Sequence, residues 1–221
     1  MPGRSIDTGP PQALDAGSGC QFVGAGQRSI SLESTEVQGY LFVRFAAFFR
    51  NVNFGHVGSP IKAQFIAAFE AVGAQDMSSF LTHGNASFSA SNAAEAISLA
   101  DAAREQLRRV CGWDGVAYTR SITYLAKRVA SDPFVGAPQD DINDCCVTFL
   151  PDRLSEMPVT PIVVPRRDME VFDVRAGEAF SVTRLVGGRV GNVNGLLERL
   201  LKAPLTTRNW NTVVRLVERE S

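Results

Sequence analysis

The chain has 221 residues, and its 22 Lys and Arg against 23 Asp and Glu leave a net charge of −1. Interspersed charge of this kind gives no general case for nucleic acid or an anionic membrane, and no run reaches the apolar length of a membrane span. An apolar fraction of 45% supplies enough for one large core or two smaller ones.

Residues 1–38 are rich in Gly, Ser, Pro, Asp and Gln, lack a sustained period, and read as a disordered tail. They do not show a charged start followed by an apolar core, so no signal peptide is expected. Cys20, Cys111, Cys145 and Cys146 show no C-x-x-C spacing. Buried free thiols in a reducing cytoplasm are the simplest account, and neither a cofactor nor a metal is expected.

The first ordered element is Tyr40–Phe49, apolar at nearly every position except Arg44. A short continuous apolar run with aromatics and Val reads as a strand buried on both faces. It ends in the loop RNVNFGHVGSP, residues 50–60. Gly55 and Gly58 permit positive φ there, and Ser59 before Pro60 reads as a helix cap. This loop brings Arg50, Asn53 and His56 to the carboxyl edge of a central strand.

A helix over 60–72 follows, with Ile61, Phe65, Ala68, Phe69 and Val72 on one face. Residues 77–81 and 86–90 form a hairpin around Thr82-His83-Gly84-Asn85, with Gly84 supplying the turn. In its second arm Ala86, Phe88 and Ala90 alternate with Ser87 and Ser89, the pattern of a half-buried strand. Ser91 or Asn92 caps a second helix running to Val110. Residues 116–122 make a fourth strand.

Strand, helix, strand, strand, helix, strand is the ferredoxin-like βαββαβ plait, here over residues 39–122. A right-handed crossover then sets the third strand between the first two and the fourth on the far side of the first. Three loops therefore meet at one edge, bringing together Arg50, Asn53, His56, His83, Asn85, Trp113 and Asp114.

Residues 123–221 read as a second, smaller α+β unit packed on the first. A short helix stops before Pro133, and strands are expected over 145–150, 169–174 and 179–185. Helices follow over 192–202 and around Trp210, Val213, Val214 and Val217. Thr206 or Thr207 reads as the cap of the last helix. Arg208, Asn211 and Arg215 fall off its apolar stripe, and on pattern alone that face is solvated.

Three blocks carry a family likeness: AFFRNVNFGH at 47–56, THGN at 82–85 and TTRNWNT at 206–212. With them the chain resembles the bacterial family of domain of unknown function 1697 over residues 40–218. The resemblance implies a pair of ferredoxin-like units and no established activity. It sets apart Arg50, Val52, Asn53, Phe54 and Gly55 in the first block and Gly84 and Asn85 in the second. In the third it sets apart Arg208, Asn209, Trp210, Asn211 and Thr212, with Trp210 and Thr212 structural. His56 and His83 stand where the family has Gly and a small residue. Before the last helix, Val190–Asn194 replaces the family's Ser-Lys-Leu.

An Arg- and Asn-rich edge suits a small molecule, peptide or anion, because Arg forks match carboxylate and phosphate and Asn amides both donate and accept. The leading expectation is a binding module using Arg50, Asn53, Asn85 and Arg208. A second is an enzyme with His56 or His83 as general base. A third is structural: the Asn residues bond backbone and the Arg residues tie the two units together. Mutation of the two His separates the second from the others, and the melting temperature of Arg208→Ala separates the third.

Overall fold

The computed structural model describes residues 36–37, 40–152, 154 and 156–220. Most of the expected tail lies outside them. The fold is mixed α+β, with antiparallel sheets and five helices among these residues. The chain runs β1 (Glu36–Val37), β2 (Tyr40–Leu41), β3 (Val43–Phe49), α1 (Lys62–Glu70), β4 (Gln75–Phe80), β5 (Asn85–Ala90), α2 (Ala93–Cys111) and β6 (Ala117–Ser121). It continues with α3 (Ile122–Ala130), β7 (Ile142–Phe149), β8 (Ile162–Val163), β9 (Met169–Arg175), β10 (Glu178–Val186), β11 (Arg189–Val190), α4 (Val193–Leu201), β12 (Thr206–Asn209) and α5 (Trp210–Glu220).

The first sheet has the order β4-β5-β3-β6 and the second β12-β7-β10-β9-β8, with β11 paired to β10. Every neighbouring pair is antiparallel. In β3 the pleat sends successive side chains to opposite faces. Phe45, Ala47 and Phe49 pack under α1 and α2 with Phe65, Phe69, Phe88 and Leu107. Ala46 and Phe48 face the second sheet and share a cluster with Val147, Phe149, Phe180 and Trp210. Helices α3 and α5 fill that same cluster through Leu125, Val213 and Leu216. A third cluster lies between the second sheet and α4. The two halves thus share the middle core, and no linker separates them: β6 ends at Ser121 and α3 begins at Ile122.

Several local expectations need correction. Strand β5 is buried at every position, not half-buried. Its polar face is covered: Ser87 donates to Glu220 of α5 in the second half at 2.6 Å, and Ser89 donates to Asp76 of the neighbouring β4 at 2.8 Å. Helix α1 starts at Lys62 with Ile61 at its N-cap, so Ser59 does not cap it. Ser59 instead accepts the Asn53 N–H at 2.8 Å and closes the preceding loop. Thr206 and Thr207 belong to β12, because their backbones pair with Phe149 and Thr148. The Asn209 side chain accepts the Asn211 N–H at the start of α5. Asn92 caps α2, as expected, accepting the Glu95 N–H at 3.0 Å.

Candidate functional site

Three chain segments meet at the end of β3. The Phe49 N–H donates to the Gly84 carbonyl at 2.8 Å and the Phe54 N–H to Thr82 at 3.0 Å. These bonds press the loop after β3 against the β4–β5 turn. Gly84 sits at φ +63, and a Cβ there would lie 2.5 Å from the Val52 Cβ. Only glycine fits that contact and that backbone angle together.

From the second half, β12 contributes Arg208. Pattern alone put this residue on a solvated face, yet it is 9% exposed. Its strand lies across the shared core, so the guanidinium crosses to the first half. Nε donates to Asn85 Oδ1 at 2.6 Å. Nη1 donates to Thr206 Oγ1 at 2.7 Å and to the Thr207 carbonyl at 2.9 Å. Nη2 donates to the carbonyls of Phe49 and His83, both at 2.8 Å. These five bonds match the five N–H groups of a guanidinium. Asn85 is itself oriented by donating from Nδ2 to the Phe80 carbonyl at 3.1 Å.

All five acceptors are neutral. Among the described residues no carboxylate lies within ion-pair distance of Arg208, whereas Arg44, Arg50, Arg120 and Arg128 all have acidic partners. The Phe48 ring lies 5.8 Å from its guanidinium carbon. Burial pushes the Arg208 pKa down to about 10, so it stays a cation at neutral pH.

Above this buried charge lies an open cleft of about 560 Å³. Asn51, Asn53, His83, Thr207, Asn209 and Thr212 line it, with Asn85 and Arg208 beneath. Thr207 is held by Thr148 and Asn194. Asn209 donates to Asp144 at 2.6 Å. His83 Nδ1 is engaged with Thr82 Oγ1 at 3.2 Å, and Nε2 has no partner among the described residues. The side chains of Asn51, Asn53 and Thr212 make no hydrogen bond to the described residues and face the cleft uncommitted.

The structure therefore gathers Asn53, His83, Asn85, Arg208, Asn209 and Thr212, with Gly84 shaping the turn. It takes Arg50 elsewhere: Nε and Nη2 fork onto Glu198 of α4 at 2.5 and 3.0 Å. Gly55 and His56 are exposed in the loop and do not line the cleft. Asn211 is exposed on α5. Trp210 is core, with its ring 5.6 Å from Phe134. Trp113 is also core rather than rim, 4% exposed and 5.5 Å from the Phe49 ring. Its apolar bulk packs under α2, while Asp114 stays exposed. Sequence reasoning missed Asn51 and Thr207. Asn51 carries a signal in hindsight, since a non-glycine at φ +55 is commonly Asn.

Cys111 and Cys146 are free thiols. Burial pushes Cys146 up to about 12, which makes it a poor nucleophile. Among the described residues no three His, Cys, Asp or Glu side chains gather as a metal set. No helix there is long and apolar enough to cross a membrane.

Fold and cleft together define an α+β protein of two antiparallel sheets packed face to face, with a polar cleft over a buried arginine that has no acidic partner among the described residues. The chain belongs to the family described as protein of unknown function (DUF1697), whose family model matches residues 43–180. Arg208 and its TTRNWNT block lie beyond that match. The fold is similar to that of "conserved bacterial protein SP0830 from Streptococcus pneumoniae", with a TM-score of 0.54 and 14% identity over 81% of this chain and 99% of that one. No curated protein matches.

Proposed function

We propose that this chain is a binding module for a small anionic or strongly polar molecule, held in the cleft over Arg208. The observation that carries the reading is a buried cation with five neutral acceptors and, among the described residues, no acid beside it. Removing a guanidinium from water without a counter-charge is costly, and a ligand anion above it offsets that cost. At an effective dielectric of about 20, a unit charge about 6 Å away gains about 3 kcal/mol. Arg208 has no spare N–H, so its part is electrostatic. Direct hydrogen bonds come from Asn51, Asn53 and Thr212.

The structural role and the binding role of Arg208 are compatible. The same five bonds that tie the halves together hold the charge under the cleft. The test is thermal shift with small carboxylates and phosphate, on the wild type and on Asn85→Asp. Asp at position 85 retains an acceptor for Arg208 Nε and neutralises the charge. A ligand at about one hundred times its Kd raises stability by about 2.7 kcal/mol. Such a shift in the wild type, lost in the variant, is the expected result. An equal shift in both proteins, or none in either, overturns the proposal.

The same reading takes both halves as ferredoxin-like plaits, over 39–122 and 123–221. The strand orders β6-β3-β5-β4 and β12-β7-β10-β9 support it, each being 4-1-3-2 in local numbering. In the second plait the crossover between β7 and β9 carries β8 in place of a helix. A cytoplasmic setting belongs to the proposal and is supported by the free thiols of Cys111 and Cys146.

A further inference from the structure

Resting on that reading of the cleft, we infer that its ligand is a polyhydroxylated anion of the sugar-acid or sugar-phosphate class, and not a nucleotide. Three observations converge. The uncommitted groups are two primary amides, one hydroxyl and one imidazole edge, from Asn51, Asn53, Thr212 and His83. Each amide offers a carbonyl acceptor and an NH₂ donor, and the hydroxyl offers both. Such groups pair with hydroxyls, which also donate and accept, and they waste half their capacity on a bare anion that only accepts.

The second observation is what the cleft lacks. Its one phenylalanine, Phe49, is fully buried and packs against Phe65, Phe69 and Trp113. Val52 beside it is 3% exposed. The described lining therefore presents no exposed Phe, Tyr or Trp face; its one exposed ring is the small imidazole of His83, so a base finds a single stacking partner where nucleotide sites commonly sandwich it.

The third is charge. Arg208 spends all its donors on protein acceptors, so it attracts an anion from beneath without forking onto it. Specificity then rests with the neutral groups at the rim. An opening of about 560 Å³ accommodates a single sugar-sized molecule with some of its water.

The test is isothermal titration of the full chain with gluconate, ribose 5-phosphate, acetate, inorganic phosphate and adenosine monophosphate. The expected result is that gluconate or ribose 5-phosphate binds at least tenfold tighter than acetate or inorganic phosphate. Whichever of the two leads tells carboxylate from phosphate. Adenosine monophosphate should bind no tighter than ribose 5-phosphate. Asn53→Ala and Thr212→Val should each weaken the sugar anion at least fivefold, with melting temperature unchanged and the bare anions little affected. Bare anions binding as tightly as the sugar anions would overturn this inference while leaving the anion-binding reading intact. Adenosine monophosphate binding tenfold tighter than ribose 5-phosphate would do the same. Binding of none of the five would remove both.

Discussion

Phe48 of the first sheet stacks on Phe149 of the second, with ring centroids 4.1 Å apart and planes 12° from parallel. Both rings are fully buried. This contact lies in the core the two halves share, so each sheet buries its inner face against the other half. Truncation leaves a cavity at the centre of the shared core. Phe48→Ala is expected to cost about 3–5 kcal/mol and lower the melting temperature by about 6–20 °C. A single cooperative transition should survive, checked by calorimetry. Two separate transitions would show that the halves are independent.

Arg208 joins the halves through polar bonds where Phe48 joins them through packing. Removing it strands Asn85 Oδ1, Thr206 Oγ1 and three carbonyls. Each buried orphan costs about 1–3 kcal/mol, so Arg208→Ala should not yield a stably folded chain. Arg208→Lys retains the charge with fewer donors and should fold with a melting temperature lower by at least about 5 °C. Asn85→Asp should stay within about 2 kcal/mol of the wild type, because a new ion pair offsets the lost bond to the Phe80 carbonyl. Chemical denaturation of the three variants checks this order.

Gly84 offers a test of the loop contact. Gly84→Ala forces an L residue to φ +63 and pushes its Cβ into Val52. The expected cost is about 2–5 kcal/mol. Adding Val52→Ala should not rescue it, because the atom struck is the Val52 Cβ, which alanine retains. Rescue in the double variant would mean that the turn contact is softer than the geometry requires.

Acid sensitivity should run through Arg50 and Glu198. The fork from Arg50, aided by the Leu205 N–H, holds the Glu198 carboxyl below its ordinary value of 4.5. A depressed carboxylate contributes stability that is complete above the unfolded value and is lost as pH falls through the folded one. Arg50→Ala should therefore melt lower than the wild type at neutral pH, and the gap should narrow below pH 4.5. Melting curves of both proteins across that range check the sign. A gap that stays constant would show that Glu198 is not the titrating partner.

Strand β3, both helices of the first half and the β4–β5 turn were legible because their signals are local. Continuous apolar runs, i, i+3 and i+4 spacing, the Asn92 cap and Gly84 need only near neighbours. The meeting of Asn53, His83 and Asn85 followed from connectivity and handedness. Trp113 was misjudged because topology brings its loop to the rim, while burial of an indole depends on what packs over it. Ser87 and Ser89 read as solvent-facing for the same reason: alternation tells which side chains share a face, not what covers it.

From the chain alone came the order of strands and helices in the first half, the edge at which three loops gather, and the family whose blocks it carries. Tertiary structure decided the rest. It turned Arg50 toward Glu198 and drew Arg208 inward from a face that period alone left to water. It also opened a cleft over that charge. The physical reason is range: periodicity and capping act over a few residues, whereas an ion's partners and its desolvation are set by segments more than one hundred residues away, as with Arg208 and Asn85 at a separation of 123.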